Sequence, residues 1–237
     1  MTSFSLVIPC YNEEKNLPHL VARCAQVIQR GDVEVIFVNN GSRDRTAAIL
    51  PKLIAPHAFA KLVQVDVNQG YGFGILSGLR AAQGDILGWT HADMQTDPGD
   101  AIRGLELFLS GPAPERIFVK GKRYGRPPHD LVFTWGMALF ESAVLGERLW
   151  DINAQPTMFH RRFYESWISP PHDFSLDLYA YYRAVRAGLT IRRIPVRFGR
   201  RYSGIGHNDF LAAKLRLSLR TIGYSMKLRQ RARSEKG

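Results

Sequence analysis

The chain is short of cysteine and of acid. Of its 237 residues only Cys10 and Cys24 carry thiols, which gives neither a zinc-ligand spacing nor a disulfide framework. They suit a reducing compartment and the packing of small hydrophobes. No uninterrupted apolar run reaches the roughly 18 residues that a membrane-spanning helix needs. The N-terminus also lacks the charged-then-apolar order of a secretory leader. The expectation is therefore a cytoplasmic chain, soluble or peripheral at the inner face of a membrane. Asp and Glu number 21 against 32 Lys and Arg, a formal net charge of +11. That excess implies acidic partners (nucleic acid, anionic lipid or phosphate-bearing substrates) without choosing among them. An apolar share of 45% is ordinary for a folded core. The length fits one large domain or one domain with an added lobe.

What is present reads as alternating strands and helices. Phe4 to Pro9 is an apolar first strand, and Asn12 is placed to cap a helix reaching about Gln29, with Glu13 and Glu14 in its first turn. Glu34 to Val38 gives a second strand, and Asp44 and Thr46 open a second helix. Leu62 to Val67 is a third strand. Strand and helix alternating over some ninety residues predict a doubly wound, mostly parallel sheet flanked by helices. Further on come a helix at Gly99–Leu109, a strand at Arg116–Val119 and a basic, proline-broken loop at Lys120–Asp130. They are followed by a helix over about Leu131–Leu145, a short strand and helix start within Asp151–Tyr164, a helix over Ser175–Ala187 and a strand over Leu189–Val196. No internal repeat is evident. The last thirty residues shift in composition: Leu211, Leu215, Leu219, Ile222 and Met226 share one helical face, flanked by Lys214, Arg216, Arg220, Lys227 and Arg229. Such a helix suits an anionic membrane surface, or packs its apolar face on the domain. Two segments result, 1–207 as the main domain and 208–237 as a basic amphipathic helix and tail.

The richest stretch is Asn68 to Pro98, NQGYGFGILSGLRAAQGDILGWTHADMQTDP. It reads as a loop, a glycine-rich helix, a buried strand at Ile86–Trp89 and an acidic turn. His91, Asp93, Gln95 and Asp97 follow the strand directly, at the sheet edge where open α/β folds bind ligands. Oxygen ligands there suit a divalent cation and, through it, a diphosphate. Asp97-Pro98 reads as the cap of the next helix.

Five segments in order resemble the family-2 glycosyltransferases of GT-A fold, of the polyprenyl-phosphate, dolichol-phosphate mannosyltransferase type. They are VIPCYNEE, VNNGSRDRT, the Asn68–Pro98 stretch, DINAQPTMFHRRF and IPVRFGRRYSGIGH, spanning Phe4 to His207. The resemblance implies inverting transfer from a nucleotide-diphospho-sugar to a polyprenyl phosphate or a lipid-linked glycan. It implies a divalent metal, manganese or magnesium, on Asp93 and Gln95, with His91 as a third candidate. Pro9, Tyr11, Glu13, Asn40 and Ser42 would line the nucleoside pocket, and Asn68, Gly72, Asp93, Arg201 and His207 would complete the donor site. On the acceptor side it offers Asp151 and Asp177 as bases, each otherwise a helix cap, and Arg123 and Arg126 as a phosphate grip. Arg192 and Arg193 read instead as solvated surface.

The pattern is broken twice. His91 replaces the first aspartate of the usual metal turn, which favours manganese if the imidazole ligates and otherwise leaves His91 in a supporting role or the site degenerate. Asn39-Asn40 replaces a pair of aspartates, exchanging acceptor-only groups for amides that also donate. A sugar-nucleotide-forming enzyme is disfavoured, because no G-x-G-x-x-R phosphate loop follows the first strand. A non-catalytic membrane- or nucleic-acid-binding protein is the remaining alternative. The basic residues cluster late rather than interleaving with exposed aromatics, as a nucleic-acid reader would require.

Overall fold

A computed structural model describes residues 2–126, 128–199 and 220–230, with side chains of 128–133 excepted. Seven strands form one sheet: β1 (Phe4–Cys10), β2 (Val33–Asn40), β3 (Ala60–Val65), β4 (Ile86–Trp89), β5 (Ile117–Tyr124), β6 (Thr157–His160) and β7 (Thr190–Arg197). Their spatial order is β3-β2-β1-β4-β6-β5-β7. The pairs β1–β2, β2–β3, β1–β4 and β5–β7 are parallel, while β6 runs antiparallel to both β4 and β5. The sheet is thus mostly parallel, as predicted, and mixed through the single antiparallel strand β6. Its order reverses at β1, between β2 and β4, which opens a crevice at the carboxyl ends of these strands.

The flanking helices are α1 (Leu17–Val27), α2 (Thr46–Ile54), α3 (Tyr71–Ala81), α4 (Gly99–Leu109), α5 (Pro128–Leu145), α6 (Arg161–Glu165) and α7 (Ser175–Arg186). An eighth, α8, occupies 220–230. Alternation along β1 divides the core. Leu6 and Ile8 face α1 and α4, packing with Leu20, Cys24, Leu105 and Phe108. Val7 faces the other layer, with Ile75, Leu79, Trp89, Phe118 and Tyr179. The glycines of α3 let it lie close on the sheet. A Cβ at Gly78 would come within 2.3 Å of Val7 Cγ1, and one at Gly74 within 2.7 Å of the Asn40 amide.

Three expectations are corrected. Asn12 does not cap α1, which begins at Leu17; Asn12 takes φ of 57° and a separate turn covers residues 13–16 before the helix starts. The predicted Lys120–Asp130 loop is mostly ordered: β5 continues to Tyr124, paired along its length with β7, and α5 starts at Pro128. On α8 the buried side is Ser225 and Leu228, whereas Met226 of the expected apolar face is exposed. Ser225 hydroxyl donates to Glu141 of α5, so this part of the tail packs on the domain. The expected boundary at 207 falls outside the described residues.

Candidate functional site

The donor side of the crevice is built from short polar side chains that brace backbone turns. After β1, the Asn12 amide donates to Ser42 Oγ at 3.1 Å, and Asn12 Oδ1 accepts from Arg43 N–H at 2.8 Å. Glu13 N–H donates to Thr46 Oγ1 at 2.9 Å, and Glu14 N–H to Asp44 Oδ2 at 3.1 Å. Asp44 also accepts from Thr46 N–H at 2.9 Å, at the start of α2 where these two residues are expected to open the helix. The turns after β1 and β2 are therefore one hydrogen-bonded unit, with Pro9, Tyr11, Glu13 and Ser42 half-exposed on it. Asn40 is different. It is only 2% exposed, and its Nδ2 donates to Gly70 O at 3.0 Å. Its backbone carbonyl accepts from Asn68 Nδ2 at 2.9 Å. Asn40 therefore lies beneath the crevice and fixes the entry to α3 instead of lining the pocket, in the space that Gly74 leaves. Asn68 is exposed and holds the same turn by accepting Gly70 N–H at 2.9 Å, while Gly72 is buried against the backbone of Pro171–Asp173.

The turn after β4 is equally braced. Asp93 is buried at 6% exposure, and its Oδ1 accepts Gln95 N–H at 3.1 Å. Gln95 Nε2 donates to Gly199 O at 3.3 Å, and Gly199 N–H returns a bond to Gln95 O at 2.8 Å. Because the amide nitrogen is committed to Gly199, the amide oxygen is the end left for a cation. A carboxylate and an amide oxygen are donor types that manganese and magnesium both accept, and an imidazole is one that manganese accepts more readily. Among the described residues no group of three or more His, Cys, Asp or Glu converges as a metal site. Asp97 braces the start of α4 without occupying its N-cap position, which is Pro98: its Oδ1 accepts Gly99 N–H at 2.8 Å, and it pairs with Arg23 at 2.8 Å.

On the acceptor side both candidate bases are ion-paired. Asp177 Oδ1 accepts from Lys120 Nζ at 3.1 Å, Gln155 Nε2 at 2.7 Å and Thr157 Oγ1 at 3.3 Å. The side chains of Lys120 and Asp177 are 0% and 2% exposed. Burial lowers the Lys120 ammonium to about 8, against the opposing pull of Asp177. Asp151 accepts from both the backbone N–H and the guanidinium of Arg123. Burial opposes its ionisation, but the Arg123 charge and hydrogen bonds hold the carboxyl below its ordinary range. Neither aspartate caps a helix: Asp151 has φ of 45° in a turn, and Asp177 lies within the first turn of α7, whose start is braced by Asp173 accepting Ser175 N–H at 2.9 Å. Arg123 is held by Asp151 within the fold, and so is no phosphate grip. Arg126 donates to Thr134 Oγ1 at 2.8 Å and, like Arg123, lies over the Phe198 ring. Arg192 is exposed as expected, but Arg193 is not solvated surface. It donates to Gly121 O and Trp150 O and stacks on Tyr181. Arg201 and His207 lie outside the described residues.

Tyr71 joins the two sides. Its ring stacks on Phe174 at 4.6 Å and meets His91 at 5.6 Å, and its hydroxyl accepts from Gln155 at 3.4 Å. Burial first, then the charges of Asp177 and Asp93, push its phenol well above its usual range. Lys120, Gln155, Thr157 and Tyr71 escaped sequence reading. A lysine in a basic segment looks solvated, and only the antiparallel insertion of β6 between β4 and β5 brings these four together.

The sequence profile of Glycosyl transferase family 2 matches residues 5–173. An undecaprenyl-phosphate 4-deoxy-4-formamido-L-arabinose transferase from Aeromonas hydrophila is 36% identical over 113 residues, 45% of this chain and 34% of the relative. The protein of that name from Pseudomonas aeruginosa is 37% identical over 111 residues, 45% of this chain and 32% of the relative. The chain thus spans about a third of the length of these relatives. Among solved structures, glucosyl-3-phosphoglycerate synthase from Mycobacterium tuberculosis with phosphoglyceric acid superposes with a TM-score of 0.71 at 19% identity, covering 95% of this chain and 80% of that one. The same synthase with Mn2+, uridine diphosphate and glucosyl-3-phosphoglycerate gives 0.69 at 20% identity, again over 95% and 80%. At this identity the superpositions establish the GT-A fold. With the profile covering most of its length and its signature turns assembled around one crevice, the chain belongs to glycosyl transferase family 2.

Proposed function

We propose that the protein transfers a sugar from a nucleotide-diphospho-sugar to a polyprenyl phosphate, with inversion at the anomeric carbon. The donor half of this reading is supported by the crevice at β1, β2 and β4 and by the Asp93–Gln95 turn. The named relatives act on undecaprenyl phosphate, and a fold neighbour was crystallised with Mn2+ and uridine diphosphate.

One observation carries the choice of acceptor: both acidic candidates for a general base, Asp151 and Asp177, are buried and committed to Arg123 and Lys120. A hydroxyl acceptor must lose a proton as it attacks. A phosphate oxygen is already anionic and needs no base, so this pairing is compatible with phosphate and poorly suited to a hydroxyl. In the reaction a phosphate oxygen of the acceptor forms a bond to the anomeric carbon. The bond from that carbon to the donor diphosphate breaks, and its electron pair departs on the nucleoside diphosphate. Asp93 and Gln95 would hold a divalent cation, which when bound supplies positive charge beside the leaving diphosphate. The braced turns at Asn12–Asp44 orient the nucleoside, and the Tyr71–Gln155–Asp177–Lys120 network fixes the wall between donor and acceptor.

The test is transfer of radiolabelled sugar from a panel of nucleotide sugars to a short polyprenyl phosphate and to the matching polyprenyl alcohol. Label in the phosphate lipid alone is the expected result. Label in the alcohol would overturn the choice of acceptor. Tight nucleotide binding with no transfer to any lipid would favour a binding-only protein, the reading that His91 in place of aspartate leaves standing.

A further inference from the structure

Helix α5 is largely apolar from Thr134 onward, with no charged face. From Thr134 to Leu145 its one charged residue is Glu141, which is fully buried. A helix without a polar face ordinarily lies wholly within a core or in lipid. This one does not. Trp135 is 57% exposed and Leu139, one turn on, 74%. The Trp135 ring meets that of Trp150, itself 41% exposed, with centroids 5.7 Å apart. Gly136 and Ala143 of the same helix are exposed as well. No helix among the described residues is long and apolar enough to cross a membrane.

We propose that this face, with Trp135, Leu139 and Trp150 at its centre, rests in the interface of an anionic bilayer. Three observations select that occupant. Indole rings combine a large apolar body with a polar N–H, the combination favoured at the boundary between hydrocarbon and headgroups. The charge is complementary: Arg148 lies exposed beside Trp150, and α8, which docks on α5 through Ser225 and Glu141, exposes Arg220 and Lys227. With a net charge of +11 on the whole chain, an anionic lipid surface attracts it, whereas a second copy would bring like charge against like. The patch also adjoins the acceptor side. Thr134, next to Trp135, accepts from Arg126, and the carbonyl of Trp150 accepts from Arg193. A phosphate carried on a lipid would then arrive from the membrane at the side of the crevice that the proposed function assigns to the acceptor. This last observation rests on that function; the first two do not.

The test is co-sedimentation of the full chain with phosphatidylglycerol–phosphatidylethanolamine vesicles and with pure phosphatidylcholine vesicles, without nucleotide or acceptor. Binding to the anionic vesicles should fall about tenfold or more in Trp135→Ser/Leu139→Ser, with circular dichroism and nucleoside diphosphate binding unchanged. A second variant, Trp135→Phe/Trp150→Phe, keeps the apolar face but should lose most of the tryptophan quenching given by brominated lipids, because Trp89 is buried and Trp167 is half-buried against Phe159 and Tyr179 in the core. Vesicle binding unaffected by the serine variant would overturn the proposal. So would a wild-type chain that dimerises through this face without vesicles and ignores lipid. Because binding is read without turnover, vesicle binding with no sugar transfer would count against the proposed function alone.

Discussion

The two halves of the sheet are held together by different physics. On the donor half, around β1, β2 and β4, hydrogen bonds from Ser, Thr and Asn and carboxylates accepting backbone N–H groups brace the turns, and the ion pairs, such as Arg23 with Asp97 and Lys61 with Glu34, are partly exposed. On the acceptor half, around β5, β6 and β7, the contacts are buried charges: Lys120 with Asp177, Arg123 with Asp151 and Arg193 on backbone carbonyls. Bonds of the first kind each contribute modestly, about 1 kcal/mol. Pairs of the second kind are dangerous to break, because the surviving partner is left charged in a dry site. The donor half can thus be tuned residue by residue, whereas the acceptor half behaves as a single unit.

The sharpest way to break this comparison is Lys120→Met. Asp177 would keep Gln155 and Thr157 but lose its only cation among the described contacts, at a cost of about 3–5 kcal/mol. Urea denaturation should show it. The double variant Lys120→Met/Asp177→Leu should recover most of the loss, and failure to recover would show that the pair matters for more than charge balance.

Glu141 offers an intermediate effect with a pH signature. Burial raises its carboxyl to about 7, against the opposing hydrogen bond from Ser225. A raised folded-state value means that the folded protein binds this proton more tightly than the unfolded chain. The stability it contributes is complete below about 4.5 and is lost as pH rises through about 7, up to roughly 3 kcal/mol. The Tm of wild type should therefore decline over that window relative to Glu141→Gln, in which the slope flattens. Parallel Tm profiles would remove Glu141 as the cause.

The smallest effect belongs to the donor half. Ser42→Ala removes the acceptor of Asn12 N–H and should cost about 1 kcal/mol in denaturation. A loss of several kcal/mol would mean that the donor turns are as interdependent as the buried pairs.

Much of the donor half was legible because its logic is local. The apolar run Ile86–Trp89 has the same bounds as β4, and Asp44 and Asp97 brace the helix starts beside which they stand in the sequence. Asn12 misled for a physical reason: a residue that favours caps also tolerates positive φ, and here the second property was used. The motif around Asn40 implies a pocket residue, but whether a side chain points up or under depends on what packs above it, and that is α3. The acceptor half was largely illegible. Asp177 and Lys120 lie 57 residues apart, and no periodicity announces that β6 turns antiparallel and brings them together. A basic residue in a glycine- and arginine-rich stretch reads as solvent-facing until the sheet order is known. The exposed face of α5 was hidden in a similar way: an apolar helical pattern predicts burial, and only the structure shows which side is left uncovered.

The proposed function requires the crevice to be a nucleotide-sugar site organised by the turn after β4. Its most direct test is calorimetric titration of wild type and Asp93→Ala with uridine, guanosine, adenosine and cytidine diphosphates, with and without manganese. One nucleotide should bind wild type with manganese, and Asp93→Ala should lose that binding by at least about a hundredfold, or about 2.7 kcal/mol. No binding of any nucleoside diphosphate by the folded wild-type protein would contradict it.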